Sequence, residues 1–139
     1  PMPAHQTATV NAYVKAHAGQ SGFPEANVAF NASGRAYPDI SAVAVDGTSQ
    51  SSPTMAGIFS LITDHRLNAG LPPLGFLGPR LWQVNEQHPG EAFESVSKGN
   101  TKTSCDTGFP ASETKWDPVT GWGRPVWKGM LQHFGADNL

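Results

Sequence analysis

Apolar side chains recur at helical spacing in four stretches of the chain, and each stretch predicts a helix. The clearest pattern predicts a helix over residues 53–68, where positions i, i+3, i+4 and i+7 are Met55, Ile58, Phe59 and Ile62. Ser51 or Ser52 is expected to cap its start. Pro53 suits the first turn, and Gly70 ends the helix. Three further helices are predicted over residues 6–18, from residue 79 through residue 84, and over residues 126–134.

A different pattern occupies residues 39–45, which alternate between the two faces of an extended chain and are rich in β-branched residues. This pattern predicts a strand that enters the core. The strand runs directly into residues 46–49, and the helix over residues 53–68 follows. Residues 91–123 are predicted to be mostly loop.

Length and charge exclude several classes of function. The 139 residues are enough for one compact domain but too few for two large ones. The 9 Lys and Arg against 11 Asp and Glu give a formal net charge of -2, which excludes a nucleic-acid partner. The longest mostly apolar stretch, residues 55–62, is far shorter than the ~20 residues that cross a bilayer, so no membrane partner is expected.

The single cysteine and the first residue bear on the origin of the chain. With Cys105 alone, the sequence has neither an internal disulfide nor a cysteine-based metal site, and the redox compartment stays open. Residue 1 is Pro, and no secretion-signal pattern follows it. We therefore expect the chain to be a processed product or a fragment.

The segment that joins the predicted strand to the capped helix carries the candidate chemistry. Its residues 47–53 read GTSQSSP. A serine in this turn projects near a helix N-terminus, whose N–H groups and positive dipole end stabilise an oxyanion. Ser49 is therefore a candidate nucleophile for acyl transfer. The alternative is that Ser49 is one of several Ser and Thr residues in a helix-capping loop.

Four segments carry a resemblance to a known family. Residues 47–53 resemble the nucleophile motif that subtilisins share with the sedolisin (serine-carboxyl peptidase) family. Residues 74–82 (LGFLGPRLW) and 116–123 (WDPVTGWG) are similar to sedolisin segments that subtilisins lack. Upstream, residues 30–39 (FNASGRAYPD), which include an N-glycosylation sequon at Asn31, are similar to the tripeptidyl-peptidase branch of that family.

The resemblance implies a fold and a domain organisation. It implies an α/β fold with an incomplete subtilisin-like parallel sheet flanked by helices, followed by a C-terminal calcium-loop segment. Residues 1–139 then form the C-terminal portion of a peptidase domain, with the nucleophile segment at 46–70 and the calcium-loop segment at 93–123. The implied location of the protein is lysosomal or secreted.

The implied activity is that of an acid peptidase that releases tripeptides from unblocked N-termini of peptides and proteins, with Ser49 as nucleophile. In the family the base is a Glu backed by an Asp, and a second Asp lies in the oxyanion hole. No acidic residue of this chain lies in a motif that matches these three catalytic acids, so they are expected in a missing N-terminal part of the peptidase domain, a possible partner. The five histidines are expected to be solvated or capping residues.

A competing hypothesis is a catalytically inactive remnant that acts as an interaction module. The family has a further strand and hairpin between the segments that correspond to residues 39 and 47, and this chain has a short connection there. With the acids also absent, the chain by itself is expected to be inactive. A subtilisin relative is a third hypothesis, which an upstream His in place of the Glu would support.

The calcium segment is altered relative to the family. The positions that correspond to its ligands are Ser95, Val96, Glu113, Lys115 and Asp117. Ser95 replaces an Asp, and Lys115 adds a positive charge, so a weakened or lost calcium site is expected. Glu94 or Glu113 is a candidate replacement for the missing carboxylate. The alternative is that Asp117 only stabilises a turn. Three tryptophans are expected to pack around this loop: Trp116, Trp122 and Trp127.

Overall fold

The computed structural model describes residues 1–43, 47–102, 106–112 and 115–136. Within these ranges the chain forms four helices and one two-stranded sheet. The elements in chain order are α1 (Ala4–His17), α2 (Gly47–Asn68), α3 (Gly78–Gln87), β1 (Phe93–Glu94), β2 (Arg124–Pro125) and α4 (Trp127–Phe134). All four predicted helices are therefore confirmed. No helix in these ranges has both the length and the apolar character that crossing a bilayer requires.

Aromatic side chains hold the helices together in two groups. In the first group, α1 packs against α3. Trp82 of α3 also lies against two tryptophans of the loop at 116–123, with its ring centroid 5.7 Å from that of Trp116 and 5.4 Å from that of Trp122. In the second, α2 packs against α4, and the ring of Phe134 lies 5.9 Å from that of Phe59. Burial of these large rings is the main apolar contribution to folding. Trp116 and Trp122 pack as expected, whereas Trp127 is 46% exposed and does not.

Helix α2 begins six residues before the predicted start, so Pro53 lies inside the helix rather than in its first turn. Proline has no N–H, and it therefore cannot bond to the carbonyl of Ser49. Hydroxyl groups support the extra turns: Ser51 Oγ donates to the Gly47 carbonyl at 3.1 Å, and Thr54 Oγ1 donates to the Gln50 carbonyl at 2.8 Å. The segment predicted to be a capping loop is thus helical.

The strand predicted over residues 39–45 is not formed in its described part, residues 39–43, and residues 44–46 lie outside the described residues. Residues 39–41 instead run beside the loop at 121–123. Trp122 N–H donates to the Asp39 carbonyl at 2.9 Å, and Ser41 N–H donates to the Gly123 carbonyl at 3.0 Å. Two such bonds do not make a ladder, because Gly121 and Gly123 have positive φ angles and turn the partner segment away.

The sheet in the described ranges is antiparallel, with Phe93 opposite Pro125 and Glu94 opposite Arg124. The implied parallel sheet is absent from the ranges that the structure describes. A physical reason is that no strand in these ranges pairs with residues 39–43. What the structure supports is a mixed helix and strand architecture. The prediction of mostly loop over residues 91–123 is correct for the described residues of that range outside β1 and isolated bridges, and residues 103–105 and 113–114 lie outside the described residues.

Candidate active site and metal-binding loop

Ser49 is the third residue of α2 and is exposed to solvent. The first four N–H groups of a helix have no partner within the helix, and the N–H of Ser49 is one of these. The positive end of the helix dipole lies at the same place, and α2 has 22 residues. The hydroxyl and a backbone donor of Ser49 are therefore both at the end of the helix that favours negative charge, as acyl transfer requires.

The described contacts do not connect Ser49 to an acid or a base. Histidine rings lie elsewhere: His5 is 6.1 Å from Trp82, and His17 is 4.4 Å from Tyr13, both distances between ring centroids. A Ser-His pair is thus not formed by these two histidines. Any base for Ser49 must come from groups outside the described contacts.

The calcium-loop segment is anchored by Asp39, whose role sequence analysis missed. Its Oδ1 accepts a hydrogen bond from Trp82 Nε1 at 2.6 Å, and its Oδ2 accepts one from Arg35 at 2.7 Å. Its main-chain carbonyl accepts from Trp122 N–H. A side chain added at Gly121 would lie 2.4 Å from this carbonyl, so the close approach requires glycine. Asp39 thereby links α3 to the loop at 116–123.

Asp117 stabilises a tight turn with both carboxylate oxygens. Oδ1 accepts from the N–H groups of Val119 and Thr120, each at 2.8 Å, and Oδ2 accepts from Thr120 Oγ1 at 2.8 Å. Asp117 is 1% exposed. Burial raises the pKa of Tyr13 far above its ordinary value, and the nearby negative charge of Asp117 raises it further. Asp117 is therefore a buried carboxylate that already has three donors.

The other candidate calcium positions are spread over different surfaces. Val96 lines a cavity of about 190 Å³ together with Asp117, whereas Ser95 and Lys115 are not among the described residues that line it. Lys115 lines a separate cavity between α1 and α3. Glu94 does not turn inward, because its Oε2 accepts a hydrogen bond from Arg124 at 2.6 Å. Glu113 lies outside the described residues.

The donor set at this cavity fits calcium only in part. Calcium takes six to eight oxygen ligands. Asp117 is the one carboxylate residue among the described residues that line the cavity, and Lys98 brings a positive charge to it. Of the predicted positions, Val96 and Asp117 line this cavity, and Ser95 and Lys115 are not among its described lining residues.

Several known proteins are similar to this chain in sequence. No protein-family model matches the chain. Tripeptidyl-peptidase 1 of Homo sapiens is 39% identical over 153 residues, which cover 95% of this chain and 25% of that protein. The Rattus norvegicus protein of the same name is 40% identical over 151 residues, with the same coverage. That of Canis lupus familiaris is 43% identical over 122 residues, 74% of this chain and 21% of that protein.

The chain spans about a quarter of the length of the curated relatives it matches. Because 95% of 139 residues is about 132, an alignment over 153 positions leaves about 20 positions of the human relative without a counterpart. Because the chain is 39% identical to tripeptidyl-peptidase 1 over nearly its whole length, it belongs to the sedolisin family.

Proposed function

We propose that this chain is part of a serine peptidase of the sedolisin type, with Ser49 as nucleophile, which releases tripeptides from free N-termini at acid pH. The observation that carries the proposal is the placement of Ser49, exposed in the first turn of α2, in a chain 39% identical to tripeptidyl-peptidase 1. Peptides and proteins with a free N-terminus are its proposed substrates.

The proposed reaction proceeds in two steps. Ser49 Oγ attacks the carbonyl carbon of the scissile bond, and its proton passes to a carboxylate base that the rest of the peptidase domain supplies. The Ser49 N–H donates to the oxyanion that forms. The amine then leaves with the proton, and water hydrolyses the ester between Ser49 and the tripeptide. A carboxylate base stays ionised at acid pH because its pKa is ordinarily about 4, well below that of histidine.

The proposed whole protein completes the parallel sheet that the described residues lack. Exposed apolar side chains support a contact with the rest of the peptidase domain: Leu61 and Leu67 on α2, Phe76, which is 85% exposed, and Val43, which is 80% exposed. The same proposal places the protein in the lysosome or outside the cell. Recovery of the native protein from a neutral cytosolic fraction would contradict that location.

The first test measures the product of the full-length protein on a peptide with a free N-terminus. We expect release of the first three residues as one tripeptide at acid pH, read by mass spectrometry. The control peptide has the same sequence with an acetylated N-terminus, and we expect no cleavage of it. Cleavage of both peptides at internal bonds would contradict the tripeptidyl specificity while leaving a serine peptidase in place.

A second candidate function is an inactive remnant that acts as an interaction module. Two observations favour it: the described contacts give Ser49 no acid or base, and about 20 positions of the human relative are missing. The remnant would bind a partner through the exposed apolar face of α2. A monodisperse monomer that binds no partner would contradict this function.

We further propose that Asp117 serves mainly the turn and that Ca²⁺ binds weakly beside it. Asp117→Ala should lower the free energy of unfolding by about 2–4 kcal/mol, because two N–H groups and a hydroxyl of this partly buried turn lose their acceptor. The loss should be the same in Ca²⁺ and in chelator, measured by denaturant unfolding. Ser95→Ala is the matched control and should change stability by less than about 0.5 kcal/mol. A large loss of wild-type stability on chelation, absent in Asp117→Ala, would contradict the proposal.

A further inference from the structure

Two histidines and a glutamate, from the turn after α3 and from the last turn of α4, converge at the ends of these two helices. His133 Nε2 lies 2.7 Å from Glu91 Oε2, and His88 Nδ1 lies 3.7 Å from Glu91 Oε1. The two imidazole rings are 4.4 Å apart between centroids. One ligand atom from each of the three residues lies within 4.8 Å of the others. The sequence assigned these histidines solvated or capping roles, but His133 is 4% exposed.

The backbone holds these three side chains in place. His88 is the C-cap of α3, where its N–H donates to the Val84 carbonyl at 2.8 Å. Its own carbonyl accepts from Glu91 N–H at 3.2 Å, which closes the turn between them. Helix α4 lies against this turn so closely that a side chain at Gly129 would approach within 1.8 Å of the Glu91 carbonyl. The position of His133 relative to Glu91 therefore depends on rigid main-chain contacts.

The electrostatic surroundings favour a cation at this cluster. His88 and His133 both lie at the C-terminal ends of helices, where the dipole is negative. Glu91 adds a carboxylate that is half exposed. Arg80 donates to the main-chain carbonyls of His133 and Ala136 and so fixes the end of α4 and the residues that follow it.

We propose that His88, Glu91 and His133 form a binding site for Zn²⁺ or a similar transition-metal ion. Two imidazole nitrogens and a carboxylate oxygen are the ligands that Zn²⁺ takes at about 2.0–2.2 Å, with water at the fourth position. Tetrahedral coordination needs ligand atoms about 3.3 Å apart, so atoms up to 4.8 Å apart must approach by about 1.5 Å, and the hydrogen bond between His133 Nε2 and Glu91 Oε2, 2.7 Å long, must open by about 0.6 Å. His88 and Glu91, with side chains 39% and 49% exposed, have room to rotate by this amount.

The proposed site is distinct from the calcium loop in chemistry. Calcium prefers six to eight oxygens, whereas this cluster offers two nitrogens and one carboxylate. A bound ion would join the end of α3, the turn at 88–91 and the end of α4. It would therefore stabilise the contact between these helices, independently of the activity proposed for Ser49.

The test is a Zn²⁺ titration of the full-length protein, prepared without a histidine tag, in competition with a chromophoric chelator. We expect one Zn²⁺ per chain and an increase in Tm on addition of Zn²⁺. His88→Gln and Glu91→Gln should each lower the affinity at least about 100-fold, because even loss of an outer-shell partner costs 10–100-fold. His65→Gln, an exposed histidine of α2, is the matched control and should bind as wild type does.

Several outcomes would overturn the proposal. Wild-type protein that takes up no Zn²⁺, or variants that bind it as tightly as wild type, would leave the cluster as a metal-free hydrogen-bonded network. If a variant fails to fold, Co²⁺ titration of the wild-type protein decides. Intense visible absorption indicates four-coordinate cobalt at nitrogen and oxygen ligands, whereas the weak bands of the hydrated ion would contradict the site.

Discussion

Ser49→Ala in the full-length protein is expected to abolish covalent labelling by a serine-directed phosphonate at acid pH. The phosphonate reacts with an activated hydroxyl, and alanine at position 49 removes the Ser49 hydroxyl in the first turn of α2. The rate of tripeptide release should fall at least about 1000-fold, since removal of a serine nucleophile leaves only binding and the oxyanion donors. Labelled protein is measured by intact mass, and the rate by tripeptide release.

The control is Ser52→Ala, which removes an exposed hydroxyl from the next turn of α2 and should label as wild type does. Equal thermal stability of the two variants would show that Ser49→Ala prevents labelling by removing the reactive hydroxyl and not by unfolding the protein. Absence of labelling in properly folded wild-type protein would contradict the peptidase proposal and support the inactive remnant. Labelling that persists in Ser49→Ala would place the nucleophile elsewhere in the protein.

Arg66→Ala is expected to destabilise the protein by about 3–5 kcal/mol, a large part of the 5–15 kcal/mol of a typical domain. Arg66 is 2% exposed, and its Nε donates to the Pro72 carbonyl at 2.8 Å. One terminal nitrogen donates to the Phe134 carbonyl at 3.1 Å, at the end of α4. Alanine would leave these carbonyls without a donor and open a cavity between α2 and α4.

Denaturant unfolding of the full-length protein measures this effect. Arg66→Lys should lie between Arg66→Ala and wild type, because an ammonium cannot reach both carbonyls as a guanidinium fork does. Arg124→Ala removes an exposed pair with Glu94 and should cost less than about 1 kcal/mol. If Arg66→Ala had the same free energy of unfolding as Arg124→Ala, the contacts of Arg66 would not hold α2 to α4.

Local patterns predicted the helices well and the strand poorly. The spacing of Met55 and Ile62 belongs to the helix itself, and both residues are buried on its inner face. The start of α2 was misplaced because Pro53 commonly marks a first turn, whereas Ser51 and Thr54 bond back to carbonyls and extend the helix. A strand needs a partner strand, and residues 39–43 have none in the described part of the chain.

The candidate site was predicted from a motif and not from geometry. Residues 47–53 identified Ser49, and the structure places it in the first turn of α2, near the positive end of the helix dipole. The calcium positions were predicted by correspondence with the family, and the fold brings Val96 and Asp117 to one cavity without Ser95 or Lys115. Side-chain direction decides which of these residues meet, and it depends on packing rather than on sequence spacing.

The sequence by itself determined the four helices, the position of Ser49 and the family, because helical spacing and short motifs are local properties of the chain. Tertiary structure decided which distant residues meet. Asp39 joins α3 to the loop at 116–123, and Arg66 joins α2 to the end of α4. His133 lies 42 residues after Glu91, yet the two are hydrogen bonded. Such contacts arise from packing, in which main-chain approaches of the kind that Gly129 permits set the distance between elements.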